Sequence, residues 1–232
     1  MPSNLSDEMK NRLWLESNYG CSICGSPIFA GVHTFSSEDD QQSVDKLIPL
    51  CPRCITNVEI GNISTDLLFE YEKNPYNKRN DVEKFLFEGD KLVVNVGSTR
   101  FVDVRRILVL NDFDLINVTK RENNSLIFDI NFFDLANNFV GAIVNNDFAV
   151  EEKSKWNVDY KSSSLMIKNM PRNIFLNFSL ISRELAITGR IYYMGHTIQL
   201  NQDSVLLDDT DLTIGTKNVT ISNVDAAFDV QL

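Results

Sequence analysis

Two pairs of cysteines, Cys21-x-x-Cys24 and Cys51-x-x-Cys54, carry the clearest chemistry in this chain of 232 residues. They are all the cysteines it has, and both pairs lie in its first quarter. Thiolates suit a borderline-soft ion such as zinc, and a two-residue spacing lets one tight turn aim both sulfurs at the same ion. Four protein ligands close a tetrahedral shell, so the Zn2+ expected here is structural: it holds the fold and performs no reaction. A redox Cys-x-x-Cys is the competing chemistry, but it would not require a second pair. Gly20 and Gly25, on either side of the first pair, are expected to supply the backbone freedom of that turn.

These sulfurs need elements to position them. Ser6-Asp7-Glu8 can cap and charge a helix start, and Met9, Leu13 and Trp14 then fall on one face of that helix. A second helix is expected to open at Gly61-Asn62-Ile63-Ser64 and to run through Leu67, Leu68 and Tyr71. With Arg12-Leu13-Trp14-Leu15-Glu16-Ser17, Cys21-Ser22-Ile23-Cys24-Gly25 and Leu47-Ile48-Pro49-Leu50-Cys51-Pro52-Arg53-Cys54 in view, the sequence resembles the HNH endonuclease family over about residues 5–73.

The resemblance implies an α+β, ββα-metal (treble-clef-like) core stapled by a four-cysteine zinc. In the active family a histidine on the first strand activates water, and a neighbouring acidic or histidine side chain holds a magnesium-type ion. A loop asparagine orients the base, and a histidine after the last cysteine completes the metal site. Phosphodiester cleavage needs that ion to stabilise developing charge. Here His33 takes the general-base position, flanked by Val32 and Thr34, which cannot replace the missing ligand. Lys46 stands where the asparagine belongs, and Ile55 where the last histidine belongs. Asp45 and Glu59 are the candidate substitute ligands, with Asp39 and Asp40 nearby in the loop. Mg2+ or Mn2+ would be required only by an active nuclease.

Composition bounds the rest. At 43% hydrophobic and 23% charged, the chain has the make-up of a folded globular protein. No apolar run approaches the ~20 residues of a membrane span, and the first residues lack a signal peptide's pattern, so a cytoplasmic location is expected. A formal charge of −10 argues against strong non-specific nucleic-acid binding, though it leaves room for a local basic patch. Residues 1–80 hold eleven acidic and seven basic side chains, a net of about −4, where a nuclease needs a phosphate-binding face.

Residues 74–84 are polar and read as a linker, and residues 85–232 read as a separate all-β recognition domain. Leu126, Phe128, Ile130 and Phe132 alternate with polar or outward residues, as do Ile174, Leu176, Phe178 and Leu180. About ten to twelve strands are expected between residues 90 and 224, in an antiparallel sandwich or a β stack. Phe133, Phe175 and Tyr193 fall out of phase with their strands' apolar faces and are the candidates for an exposed aromatic platform. Asp203, Asp208, Asp209 and Asp211 lack the glycine-bearing loop and bidentate glutamate of a calcium motif and read as a solvated turn. No nucleophile elbow or phosphate-cradling glycine loop occurs in this part. The expected function is binding or assembly with a protein partner, through a degenerate nuclease module fused to the β domain. The alternatives are an active metal-dependent DNA endonuclease with substituted ligands, and a structural protein whose zinc module caps the β domain.

Overall fold

The computed structural model describes residues 6–35, 46–79, 89–122, 124–150, 155–161, 163–169, 174–208, 210–211 and 219–232. Asp39, Asp40, Asp45, Asp209 and residues 80–84 therefore lie outside the described residues, as do the side chains of His33, Lys46 and Asp211.

Both helices expected in the N-terminal part form. Helix α1 (Asp7–Glu16) starts at Ser6, whose hydroxyl accepts the Met9 N–H, and it stops where Asn18 and Tyr19 take positive φ. A hairpin of β1 (Gly31–Phe35) and β2 (Lys46–Leu50) follows, with His33 opposite Ile48. Helix α2 (Pro52–Glu59) begins directly after Cys51, with proline at its first position, where the missing N–H costs nothing. Helix α3 (Thr65–Lys73) is capped by Ser64, and a short α4 (Tyr76–Arg79) ends the segment.

Two mixed sheets make up most of the remainder. The first two strands are β3 (Val93–Val96) and β4 (Thr99–Val102). Then come β5 (Arg106–Leu110), β6 (Phe113–Lys120), β7 (Leu126–Phe133), β8 (Phe139–Val144) and β9 (Asp147–Ala149). The chain continues through β10 (Trp156–Lys161), β11 (Ser164–Asn169), β12 (Ile174–Ile181), β13 (Glu184–Tyr193) and β14 (His196–Leu200). It ends with β15 (Val205–Leu207), β16 (Thr210–Asp211), β17 (Thr220–Ser222) and β18 (Ala226–Val230).

The six-stranded sheet runs β18-β5-β6-β7-β8-β9, and the ten-stranded sheet runs β10 to β16 in sequence order, with β3, β4 and β17 joined through β13. The expected alternation on β7 is met strand-long, with Leu126, Phe128, Ile130 and Phe132 buried. The two inner faces meet where Phe128 packs on Phe178 at 4.8 Å and Phe132 on Trp156 at 4.9 Å between ring centroids. That is a pair of facing sheets rather than a single stack.

Two expectations are corrected. The sheets are not purely antiparallel: β13–β3, β17–β4 and β18–β5 are parallel pairs, made by strands far apart in sequence. The strands are also more numerous than ten to twelve, because two-residue turns with both positions at positive φ cut the chain into short hairpins. Asn111-Asp112, Asn145-Asn146, Ser182-Arg183 and Met194-Gly195 are such turns.

Glu184 ties the parallel β3 to β13. Its carboxylate accepts bonds from Asn95 on β3 and Arg100 on β4, each at 2.8 Å. The Asn95 bond, with help from Arg100 and against partial burial, holds this carboxyl below its ordinary range. A depressed folded-state pKa contributes stability that is complete above the unfolded value, about 4.3, and is lost as pH falls through the folded value. Melting temperature should therefore drop below about pH 4, and Glu184→Gln should flatten part of that drop while lowering Tm at pH 7. An unchanged acid limb in Glu184→Gln melts would remove Glu184 from this role.

Candidate metal centre

The first cysteine pair sits in a turn closed by two backbone bonds, from the Cys21 N–H to the Ser26 carbonyl and from the Gly25 N–H to the Cys21 carbonyl, each 2.8 Å. Gly25 takes φ +78°, as the turn requires. Gly20 is needed for a different reason. A Cβ there would lie 2.1 Å from Asn77 Nδ2 and 2.6 Å from the Gly25 carbonyl oxygen, so the position is set by close approach. Asn77 reaches in from α4, and its amide donates to the carbonyls of Asn18 (3.2 Å) and Gly25 (3.4 Å). The Tyr76 N–H adds a bond to the Ser22 carbonyl. The start of the expected linker is thus a clasp on the cysteine turn.

The second pair comes from α2. Cys51 is its N-cap and Cys54 lies three residues on, so both side chains leave the same side of the first turn. The four sulfurs lie within 4.8 Å of one another, and Cys24 and Cys51 are 3.7 Å apart. A disulfide needs about 2.05 Å, whereas sulfurs around a tetrahedral ion with bonds of about 2.3 Å stand about 3.8 Å apart. None of the four cysteines is in a disulfide, and the setting is largely dry, with Cys21, Cys51 and Cys54 buried. The cluster can hold a metal ion.

Its electrostatics favour a cation. Burial pushes the Cys21 thiol up, but hydrogen bonds from Cys24, Cys51 and Cys54 outweigh it and hold Cys21 well below its ordinary value. The same sharing, Cys21 first, pushes Cys51 and Cys54 up. Four clustered sulfurs thus keep one thiolate readily and resist further ionisation until a positive ion compensates the added charge.

The other sequence candidates are placed differently. His33 lies on β1, Asp45 lies outside the described residues, and Glu59 is exposed at the end of α2. Among the described residues, the four cysteines form the one group of three or more potential metal ligands. Ile55, at the position where the HNH family has histidine, is only 7% exposed and packs in the core. In the acidic stretch, Asp208 accepts from the Thr197 N–H and pairs with His196 Nδ1, and these bonds, in that order, hold its carboxyl low.

Of the out-of-phase aromatics, Phe133 and Tyr193 meet at 5.1 Å and join Phe113 and the exposed Phe139 in one cluster of rings. Phe175 stands apart from them on the ten-stranded sheet, beneath the Lys168 ammonium.

The centre is fastened to the sandwich by contacts that carried no signal in the sequence. The Phe29 N–H donates to the Asn146 carbonyl at 2.8 Å, and the Phe148 N–H donates back to the Phe29 carbonyl, which adds a rung beside β9. Asn146 is 3% exposed, and its side chain both accepts the Phe128 N–H and donates to the Leu126 carbonyl. Phe29 stacks on Trp14, and the half-buried Arg121 of the β region lies 5.9 Å from the Trp14 ring and 5.1 Å from Tyr19. Lys10–Asp147 and Arg53–Asp159 are ion pairs across the same junction, at 3.4 and 3.3 Å. Cys51, Cys54 and Ile55 share one contiguous apolar core with Phe132, Phe148 and Trp156. No helix is long and apolar enough to cross a membrane among the described residues. Comparison with protein-family models, with curated proteins and with solved structures finds no match to this chain.

Proposed function

We propose that the chain is a binding or assembly protein in which a zinc-stapled, degenerate HNH-like module is joined to a β recognition domain. The observation that carries this reading is the closed set of four cysteine sulfurs within 4.8 Å, with no other metal-ligand group among the described residues. Zinc fits because its preferred shell is four thiolates at the spacing seen here, and such a shell leaves no coordination position for substrate. In this role Cys21, Cys24, Cys51 and Cys54 hold the ion, and the ion holds the turn and α2 together. The residues at the HNH catalytic positions support the loss of nuclease chemistry, since buried Ile55 supplies no ligand atom. A protein partner is supported by Phe139, 60% exposed beside Phe113, Phe133 and Tyr193.

The test is incubation of the zinc-loaded chain with supercoiled plasmid and Mg2+ or Mn2+. The expected result is plasmid that stays intact at the level of a protein-free control. Nicking that depends on either ion and vanishes in His33→Ala would establish the endonuclease alternative, and loss in Glu59→Ala would identify the substitute ligand.

A further inference from the structure

The outer face of the ten-stranded sheet holds a solvent-open pocket of about 450 Å³, within the usual range of small-ligand sites. Its lining includes Phe175, Thr188, Arg190, Gln199, Asn201 and Gln202. Register explains the grouping. Lys168, Phe175, Arg190 and Gln199 are successive partners across β11, β12, β13 and β14. On each strand their neighbours Ile167, Leu176, Ile191 and Ile198 are buried, so this row points away from the core. One aromatic ring is thereby set between two cations about 10 Å apart, at a strand spacing of about 4.8 Å.

The chemistry of this row runs against the net charge of the molecule. The chain carries a net −10, yet here two positive side chains flank a ring. Among the described residues neither Lys168 nor Arg190 forms an ion pair, and the Lys168 ammonium rests 5.8 Å from the Phe175 centroid. In the neighbouring row Asp159 is already held by Arg53. Thr188 and Gln202 bring a hydroxyl and an amide to the pocket wall, where the Asn201 amide already donates to Ser204 Oγ at 3.2 Å.

We propose that this pocket binds a nucleoside phosphate, with the base stacked on Phe175, the phosphate held by Arg190 and Lys168, and the Gln202 amide and Thr188 hydroxyl facing the polar edge of the base or sugar. An aromatic face gives sequence-tolerant stacking, and the cations give a salt-sensitive hold on phosphate. Lys168 lies just outside the pocket lining, its ammonium 5.8 Å from the ring centroid, and would turn to the phosphate when a base takes its place over the ring. The ligand is either a free nucleotide or one residue of a single strand, since both present the same ring and phosphate. The proposal rests on the binding reading of the β domain. Its failure would leave the zinc content and the intact plasmid untouched, so the two can fail separately.

The experiment uses the full, zinc-loaded chain at low salt. Fluorescence anisotropy of a labelled oligothymidylate of ~10 nucleotides reports strand binding, and calorimetry with thymidine monophosphate reports the free nucleotide. Phe175→Leu, which keeps an apolar strand residue, should weaken binding about tenfold. Arg190→Gln and Lys168→Gln should each lower the salt slope by about 1, and the double variant should abolish binding. Arg12→Gln, on α1 and paired with Glu16 alone among the described residues, should change nothing. Circular dichroism and Tm establish that each variant is folded. Binding of the oligonucleotide with this pattern assigns the site to single strands, and binding of the mononucleotide alone assigns it to free nucleotides. The proposal is overturned if the folded wild type binds neither, or if binding survives in Lys168→Gln/Arg190→Gln.

Discussion

Cys51→Ser should yield protein that no longer holds the proposed zinc and whose N-terminal module is unfolded. The loss is large because metal binding at such a site is folding free energy, about 10–16 kcal/mol in zinc-finger peptides. Serine cannot replace the thiolate, and three remaining sulfurs would stay crowded in a largely buried place. The damage should spread, because Cys51, Cys54 and Ile55 belong to the same contiguous core as Phe148 and Trp156. Metal analysis should find close to one zinc per wild-type chain and almost none in the variant. Chelation of the wild type should reproduce the variant's circular dichroism and lower Tm for the whole chain. Folded protein carrying no metal, or a variant with an unaltered melt, would end the structural-zinc reading.

Gly189→Ala should be the most damaging substitution of a single methyl in the β region. Gly189 sits at φ +142°, where L side chains are strained, in the middle of β13 between Leu176 and Leu200. A Cβ there would lie 2.1 Å from the Phe175 carbonyl oxygen and 2.9 Å from the Leu176 Cα. These are backbone atoms of a paired strand, so no side chain can rotate away to make room. The expected cost is about 4 kcal/mol or more, at the upper end of single-residue effects, read from denaturant unfolding at equal m-value. Gly61→Ala is the control: Gly61 also has positive φ, but a Cβ there meets nothing within 4 Å. Its cost should be only the backbone strain, about 1 kcal/mol. Equal effects of the two substitutions would show that conformation, not contact, governs Gly189.

What could be read directly from the sequence was local. The four cysteines announce their cluster through spacing, and the period of two on β7 names the buried Phe128 and Phe132. Ser64 marks the start of α3 because its hydroxyl has a backbone N–H to accept. The parallel partners of β13, β4 and β5 left no such mark, because a strand's alternation names its buried face and not its neighbour. Polarity suggested a linker at Asn77, yet the same amide that makes it polar ties the cysteine turn to α4. Gly20 was legible as important but for the wrong reason, since close approach leaves no trace in composition. Phe175 was singled out by phase alone. Its place between Lys168 and Arg190 required the register of three strands.

The rung between Phe29 and the β8–β9 turn also sets an order of events during synthesis. Phe29 leaves the ribosome about 120 residues before Asn146 and Phe148, its backbone partners. At 5–20 residues per second that interval is roughly 6–24 s. Throughout it the Trp14–Phe29 stack has no sheet edge to rest on, and nascent cysteines stand free to oxidise or to take the wrong partner. Residues 21–54 bring together all four sulfurs of the cluster, so an ion captured there would close them before the strands that shelter them exist. Metal supply during that interval would then decide whether the later hairpins meet a finished docking face or an open chain.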